Sequence, residues 1–221
     1  MLSRKVLFCA SFAIIAGCSC GYAGSNRGKD FYPDMEALKA GNVEGRDYSI
    51  ESYDRKSSVT VFAIHGGDVE LGTARLARRI AGKDLNLYIF SGWLGAESGR
   101  LHITSTRFDD PEALRLAASG VLGVSIHAQA VPEQKVCVGG GNSAAAGLVA
   151  SRLKAAGFSA EAPCVSLPGV SPRNLINRAA KGGVQLEISL PLLERLESST
   201  SDLSEFTEAV RSAVLEYLRN L

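Results

Sequence analysis

Two imidazoles and two carboxylates define the chemistry open to this chain. His65 closes the apolar run Val59-Thr60-Val61-Phe62-Ala63-Ile64, and Gly66-Gly67-Asp68-Val69-Glu70 follows it. His127 closes a second apolar run, Gly120 to Ile126, and Glu187 lies inside a third, Val184-Gln185-Leu186-Glu187-Ile188. His65, Glu70 and His127 together offer two imidazole nitrogens and one carboxylate. That is the donor set of a hydrolytic zinc site whose fourth position is kept for water. Glu187 is then the candidate general base, because apolar strands fill a core and a carboxylate placed in one needs a partner or a task. Taken singly, each histidine has a plainer reading as a hydrogen-bonded group at a strand end. The combination favours a metal.

Several elements must bring these residues together. Val59 to Ile64 is short, continuous and rich in β-branched residues, which suits a buried strand. The glycine pair lets the chain turn sharply after it, and Thr73 is expected to cap an amphipathic helix with Leu76, Ala77 and Ile80 on one face. Upstream, Tyr48 to Tyr53 alternates with period two and Asp54 to Ser58 reads as a turn, so the first two strands are expected to form an antiparallel pair. Leu85 to Phe90 is a further strand, and a glycine-bearing loop around Trp93 follows. Asp109-Asp110-Pro111 then opens a helix, with proline where no N–H is needed. Lys135 to Val138 is another strand, and Asn142 caps a helix running to about Ala156. Ala160 to Val165 can return as a strand beside Lys135 to Val138, bringing Cys164 near Cys137. Ser171-Pro172 opens a short helix carrying Asn174, Asn177 and Arg178, and a long helix starts near Ser201. Strands alternating with helices give an α/β class: one domain, with a mixed, mostly parallel sheet flanked by helices. Open sheets of this kind bind ligands at the carboxyl ends of their strands, where both histidines lie.

Composition narrows the partners. The 221 residues are 46% hydrophobic, enough for one core, and no linker divides them. Arg4 and Lys5 precede an apolar segment from Val6 to Ala16, the pattern of an export signal and too short for a membrane span. Ile15-Ala16-Gly17-Cys18 resembles a bacterial lipobox, which assigns residues 1–17 to a lipoprotein signal peptide, Cys18 to lipidation and membrane anchoring, and residues 18–32 to a tether before a domain over 33–221. A rival cut after Gly21-Tyr22-Ala23 would release a soluble exported protein. Removal of residues 1–17 leaves 22 basic against 23 acidic side chains, a balance that gives no support to nucleic-acid binding. The protein is expected to be a monomer. In an oxidising compartment Cys137 and Cys164 are expected to form one disulfide; two separate buried thiols are the other reading.

The residues also carry a resemblance. His65 to Thr73, His102-Ile103-Thr104-Ser105 with Phe108 to Pro111, Ser125-Ile126-His127, Asn174 to Arg178, and Gly183 to Ile188 occur in the order, and with the residue types, of the poly-gamma-glutamate hydrolase family. The resemblance spans roughly residues 48–196. It implies a carboxypeptidase-like zinc hydrolase that cleaves the γ-glutamyl amide bonds of poly-γ-glutamate, with Zn2+ on His65, Glu70 and His127 and the catalytic carboxylate at Glu187. Asn177-Arg178 matches an Asn-Arg pair that holds a substrate carboxylate in carboxypeptidase-like enzymes. Glu70 lies five residues after His65, a departure from the His-x-x-Glu spacing of those enzymes, and Asp68 is the alternative ligand. A γ-linked chain carries one free carboxylate per residue, so a fork-shaped cation is wanted; Arg178 is the first choice and Arg107 the second. His102 is expected to hydrogen-bond substrate or a metal ligand, or to replace His127 as third ligand. Two other functions fit the same residues: an envelope peptidase or amidase acting on peptidoglycan stem peptides, and a non-catalytic envelope binding protein.

Overall fold

The computed structural model describes residues 30–221. The signal peptide, Cys18 and most of the expected tether lie outside the described residues. Seven strands form one sheet in the order β1-β3-β2-β4-β7-β5-β6: β1 Tyr48–Tyr53, β2 Val59–Gly67, β3 Asn86–Gly92, β4 Leu122–Gln129, β5 Val136–Gly139, β6 Ala160–Glu161 and β7 Gly183–Ser189. The central four strands, β3, β2, β4 and β7, run parallel, while β1 and β5 pair antiparallel to their neighbours. β7 is buried along its whole length, which is why its sequence reads as a continuous apolar run.

Helices cover both faces. On one side, α2 Thr73–Ala81, α4 Ser143–Ala155, α5 Leu190–Ser198 and α6 Thr200–Arg219 bury Leu76, Val149, Leu193, Phe206 and Val210 against Val61, Val124 and Leu186 of the strands. On the other, α1 Met35–Gly41, α3 Pro111–Ser119 and the chain around Leu101 and Ile103 cover Phe62, Ile64, Tyr88 and Phe90. α3 starts as its sequence predicts: Asp110 accepts from the N–H groups of Glu112 and Ala113, and Pro111 opens the helix. Asn142 likewise caps α4 through Ala145 N–H. Among the described residues no helix is long and apolar enough to cross a membrane.

The expected antiparallel pairing of the first two strands does not form. β2 is flanked on both edges by β3 and β4, so β1 can extend the sheet only at the outer edge of β3, where it pairs from Tyr48 opposite Gly92 to Tyr53 opposite Leu87. Asn86 fixes the crossing segment, accepting from the N–H groups of Arg55 and Ser57 at 2.8 and 3.1 Å. Thr73 also departs from its expected role. Gly72, at φ 85°, occupies the cap position of α2, and the Thr73 hydroxyl turns back to donate to the Glu70 carbonyl at 2.8 Å.

Cys137 and Cys164 form a disulfide, with Cα atoms 4.9 Å apart. β6 runs beside β5 as expected, and Cys164 N–H donates to the Val138 carbonyl at 3.0 Å.

Candidate metal centre and cleft

The site opens at the carboxyl ends of β2, β4 and β7 in a cleft of about 750 Å3. His127 and Glu187 are direct partners in the β4–β7 register, so both side chains leave the sheet on the face covered by α1 and α3. His65 reaches that face by an irregularity. Strict alternation would send it to the opposite face with Val61 and Ala63. Between Ala63 and Gly66, however, β2 carries one more residue than β3, and such a bulge re-aims the side chain beside it. The glycines that follow are required by the close approach of β3. A Cβ on Gly67, at φ 66°, would lie 2.3 Å from the Gly92 carbonyl oxygen. The turn closes through Glu70 N–H donating to the His65 carbonyl at 2.7 Å, which returns the Glu70 carboxylate to the imidazole five residues earlier. Asp68 is directed elsewhere: its carboxylate accepts from Gly95 N–H at 3.1 Å.

His65, Glu70 and His127 form the cluster suited to a metal among the described residues. His65 Nε2–H donates to the Ile103 carbonyl at 2.9 Å, so in the neutral ring Nδ1 carries the lone pair. That atom faces Glu70 Oε1 at 2.9 Å and His127 Nδ1 at 3.2 Å, and His127 Nδ1 lies 3.6 Å from Glu70 Oε2. Electron-rich atoms crowded in this way call for positive charge between them. The 3.2 Å between the two imidazole nitrogens is close to the edge of about 3.3–3.4 Å that a tetrahedron with 2.0–2.1 Å bonds to zinc requires, and a Glu70 oxygen lies within reach of each nitrogen. The donor set therefore fits the ion.

Positive charge at this point also sets the state of the carboxyl. Burial alone would raise Glu70, but protons on the His65 and His127 rings, by their charge and hydrogen bonds, outweigh it and hold the group well below the carboxylate range; a cation held between the three side chains would act in the same direction. Burial works to lower His127, and the hydrogen bond and charge of Glu70, helped by Glu187, raise it instead. Glu70 Oε2 is fixed by Ala128 N–H at 2.9 Å.

A chain of amides sets the Glu187 carboxylate. Asn174 Nδ2 donates to Gln185 Oε1 at 2.8 Å, and Gln185 Nε2 donates to Glu187 Oε1 at 2.8 Å. Gln185 and Glu187 thus share one face, as their spacing predicts, and both line the cleft. Gly169, at φ 62°, lies so close to Gln185 that a Cβ there would meet its amide at 2.9 Å.

The remaining expected residues divide. His102 does not join the three donors; its ring stacks on His65 with centroids 4.1 Å apart, and its Nδ1–H donates to Asp30 Oδ1 at 2.9 Å. The charge of His65 and burial push the His102 imidazole down to about 4 against the pull of Glu70 and Asp30. Arg107 lines the cleft and is paired with Asp30. Asn177 and Arg178 are not brought to the site. The Asn177 side chain accepts from Gly141 N–H at 2.8 Å and donates to the carbonyls of Gly169 and Ser171, so its amide is spent on holding backbone, and Arg178 is exposed and lies outside the cleft lining. Asp30, Arg100, Asn174 and Gln185 line the cleft without having been singled out as site residues from sequence. Gln185 had a usable signal in its period-two relation to Glu187, whereas Asp30 falls in a stretch whose composition reads as tether.

Comparisons with known proteins bear on the family and the fold. A sequence model of the poly-gamma-glutamate hydrolase family matches residues 32–212. The protein YndL of Bacillus subtilis strain 168 is 34% identical over 195 residues, covering 82% of this chain and 77% of YndL. A bacteriophage poly-gamma-glutamate hydrolase superposes with a TM-score of 0.82 at 31% identity, over 87% of this chain and 100% of that one. A zinc-free apo structure of YndL superposes with a TM-score of 0.75 at 31% identity, over 87% of this chain and 98% of that one.

Proposed function

Because the chain belongs to the poly-gamma-glutamate hydrolase family, we propose that it is an exported, zinc-dependent hydrolase that cleaves the γ-glutamyl amide bonds of poly-γ-glutamate. The observation that carries this reading is the convergence of His65 Nδ1, the Glu70 carboxylate and His127 Nδ1, with Glu187 in register beside His127 in the same cleft. Zinc, when held by those three residues, supplies Lewis acidity toward an amide carbonyl and brings the pKa of water toward about 7. Glu187 acts as the general base, taking a proton from the attacking water at its carboxylate and delivering it to the leaving amine nitrogen as the C–N bond breaks. Gln185, itself held by Asn174, aims that carboxylate. Glu70 is held anionic by its two histidines and is suited to charge compensation at the metal.

Export rests on the Arg4-Lys5 and apolar leader, and anchoring on Cys18 of the Ile15-Ala16-Gly17-Cys18 run. Mass spectrometry of the native N-terminus separates the two forms: a lipidated Cys18 supports the anchor, and a chain starting at Gly24 leaves an exported protein without one. For the activity, purified protein is incubated with poly-γ-glutamate and, separately, with isolated peptidoglycan, each with and without a chelator. Depolymerisation of poly-γ-glutamate that stops with chelator and returns with zinc is the expected result. Release of stem peptides from peptidoglycan alone would move the substrate to the cell wall, and chelator-resistant cleavage would overturn zinc dependence.

A further inference from the structure

We propose that Asp30 and Phe31 are positioning residues for a two-arginine clamp, Arg107 and Arg100, that grips the free carboxylates of the substrate along one lip of the cleft. This inference rests on the γ-glutamyl hydrolase reading and names how that site holds its polymer.

Four carboxylates line the cleft, Asp30, Glu70, Glu97 and Glu187, against the guanidinium groups of Arg100 and Arg107. Glu70 and Glu187 are committed to the metal and the proton, and among the described residues of the lining the two arginines supply the guanidinium charge that a polyanion would seek. Both are exposed, and a long exposed side chain loses rotamer freedom on gripping a ligand unless something holds it beforehand. Two consecutive residues do this. The Asp30 side chain is only 3% exposed, and its oxygens accept from Thr104 N–H at 2.9 Å, the Thr104 hydroxyl at 3.1 Å, His102 Nδ1–H at 2.9 Å and Arg107 Nη2. Such a buried carboxylate is worth its desolvation only when fully bonded, and here its bonds fix Arg107. The Arg107 guanidinium has five N–H donors, and among the described residues it bonds Asp30 through Nη2, so the rest of its fork can face a carboxylate. Arg100 lies over the Phe31 ring, 4.4 Å from its centroid. This explains a phenylalanine left 60% exposed.

The clamp makes a prediction that a merely structural role for Asp30 does not. Steady-state kinetics are compared on poly-γ-glutamate and on the same polymer with its α-carboxylates methyl-esterified. Arg107→Gln and Asp30→Asn are expected to raise KM for the free acid about tenfold, on the scale of one charged hydrogen bond, and to lower the preference for acid over ester by a similar factor, with zinc content unchanged. Arg100→Gln should act in the same direction, and Phe31→Leu by about two- to fivefold, the size of an exposed cation–π contact. These last two sites are on the surface and do not threaten folding. Equal loss on acid and ester, or no change in KM, in the arginine variants overturns the clamp while leaving the hydrolase intact. Failure of the wild-type protein to cleave either polymer overturns the hydrolase reading and the clamp together.

Discussion

At the floor of the cleft, His127 and Glu187 are paired in register on neighbouring parallel strands. At its lip, Arg107 rides on chain with no strand or helix between His102 and Asp110, and depends on a single buried carboxylate. The floor inherits its geometry from a ladder of main-chain hydrogen bonds that no one side chain supplies. Replacing a side chain there should change the chemistry and leave the scaffold in place. The lip has no ladder, so its geometry lives in side chains, and the same kind of replacement should loosen it.

The largest effect is expected from the floor. His65→Ala or His127→Ala should remove bound zinc and activity together, read by metal analysis beside turnover, while circular dichroism stays that of the wild type. Retention of one equivalent of zinc by either variant would break the assignment of the three donors. Glu187→Gln sharpens it. Glutamine fills the same space but cannot take a proton, so kcat should fall by about 10²–10⁴ with zinc content near one equivalent.

A smaller effect is expected from the part of the cleft lining around Pro168 and Gly169, where a covalent bond replaces both devices. The Cys137–Cys164 bridge ties β5 to the segment that continues through Pro168 and Gly169 into the cleft lining. Replacing both cysteines by serine should cost about 3 kcal/mol in the chain-entropy account, or about 6–12 °C in Tm for a domain of this size. A thermal melt in reductant should reproduce the shift. An unchanged Tm would mean that the hydrogen bonds of Asn177 to Gly141, Gly169 and Ser171 hold this part of the lining without the bridge.

Much of the floor could be read from sequence, because buried parallel strands announce themselves as apolar runs and polar residues at their ends stand out. His65, His127 and Glu187, which the structure gathers in the cleft, stand out in this way, and the placing of the Ala160 strand beside β5 could be read as well. The bulge between Ala63 and Gly66 was not visible. Alternation assigns a face only to a regular strand, and the extra residue depends on how β2 lies against β3. The partner of β1 was misread for a related reason: nearness in sequence favours β2, but β2 has no edge left to offer. Asp30, Phe31 and Arg100 carry no periodic signal at all. They lie in glycine-bearing or polar stretches, and only tertiary contact gives them meaning. Arg178 shows the converse, since a matching dipeptide does not ensure that its cation points into the cleft.

One consequence of the Asp30 contacts is practical. Asp30 lines the cleft, so any affinity tag or reporter fused immediately ahead of residue 30 begins beside the substrate path and competes for the same space. α6 packs on the opposite face of the sheet, which makes the end at Leu221 the better point of attachment. A lysine- or histidine-rich peptide at the front end would add positive charge and loose ligands next to Arg107 and His65, and kinetic constants measured on such a fusion would describe the appendage as much as the enzyme.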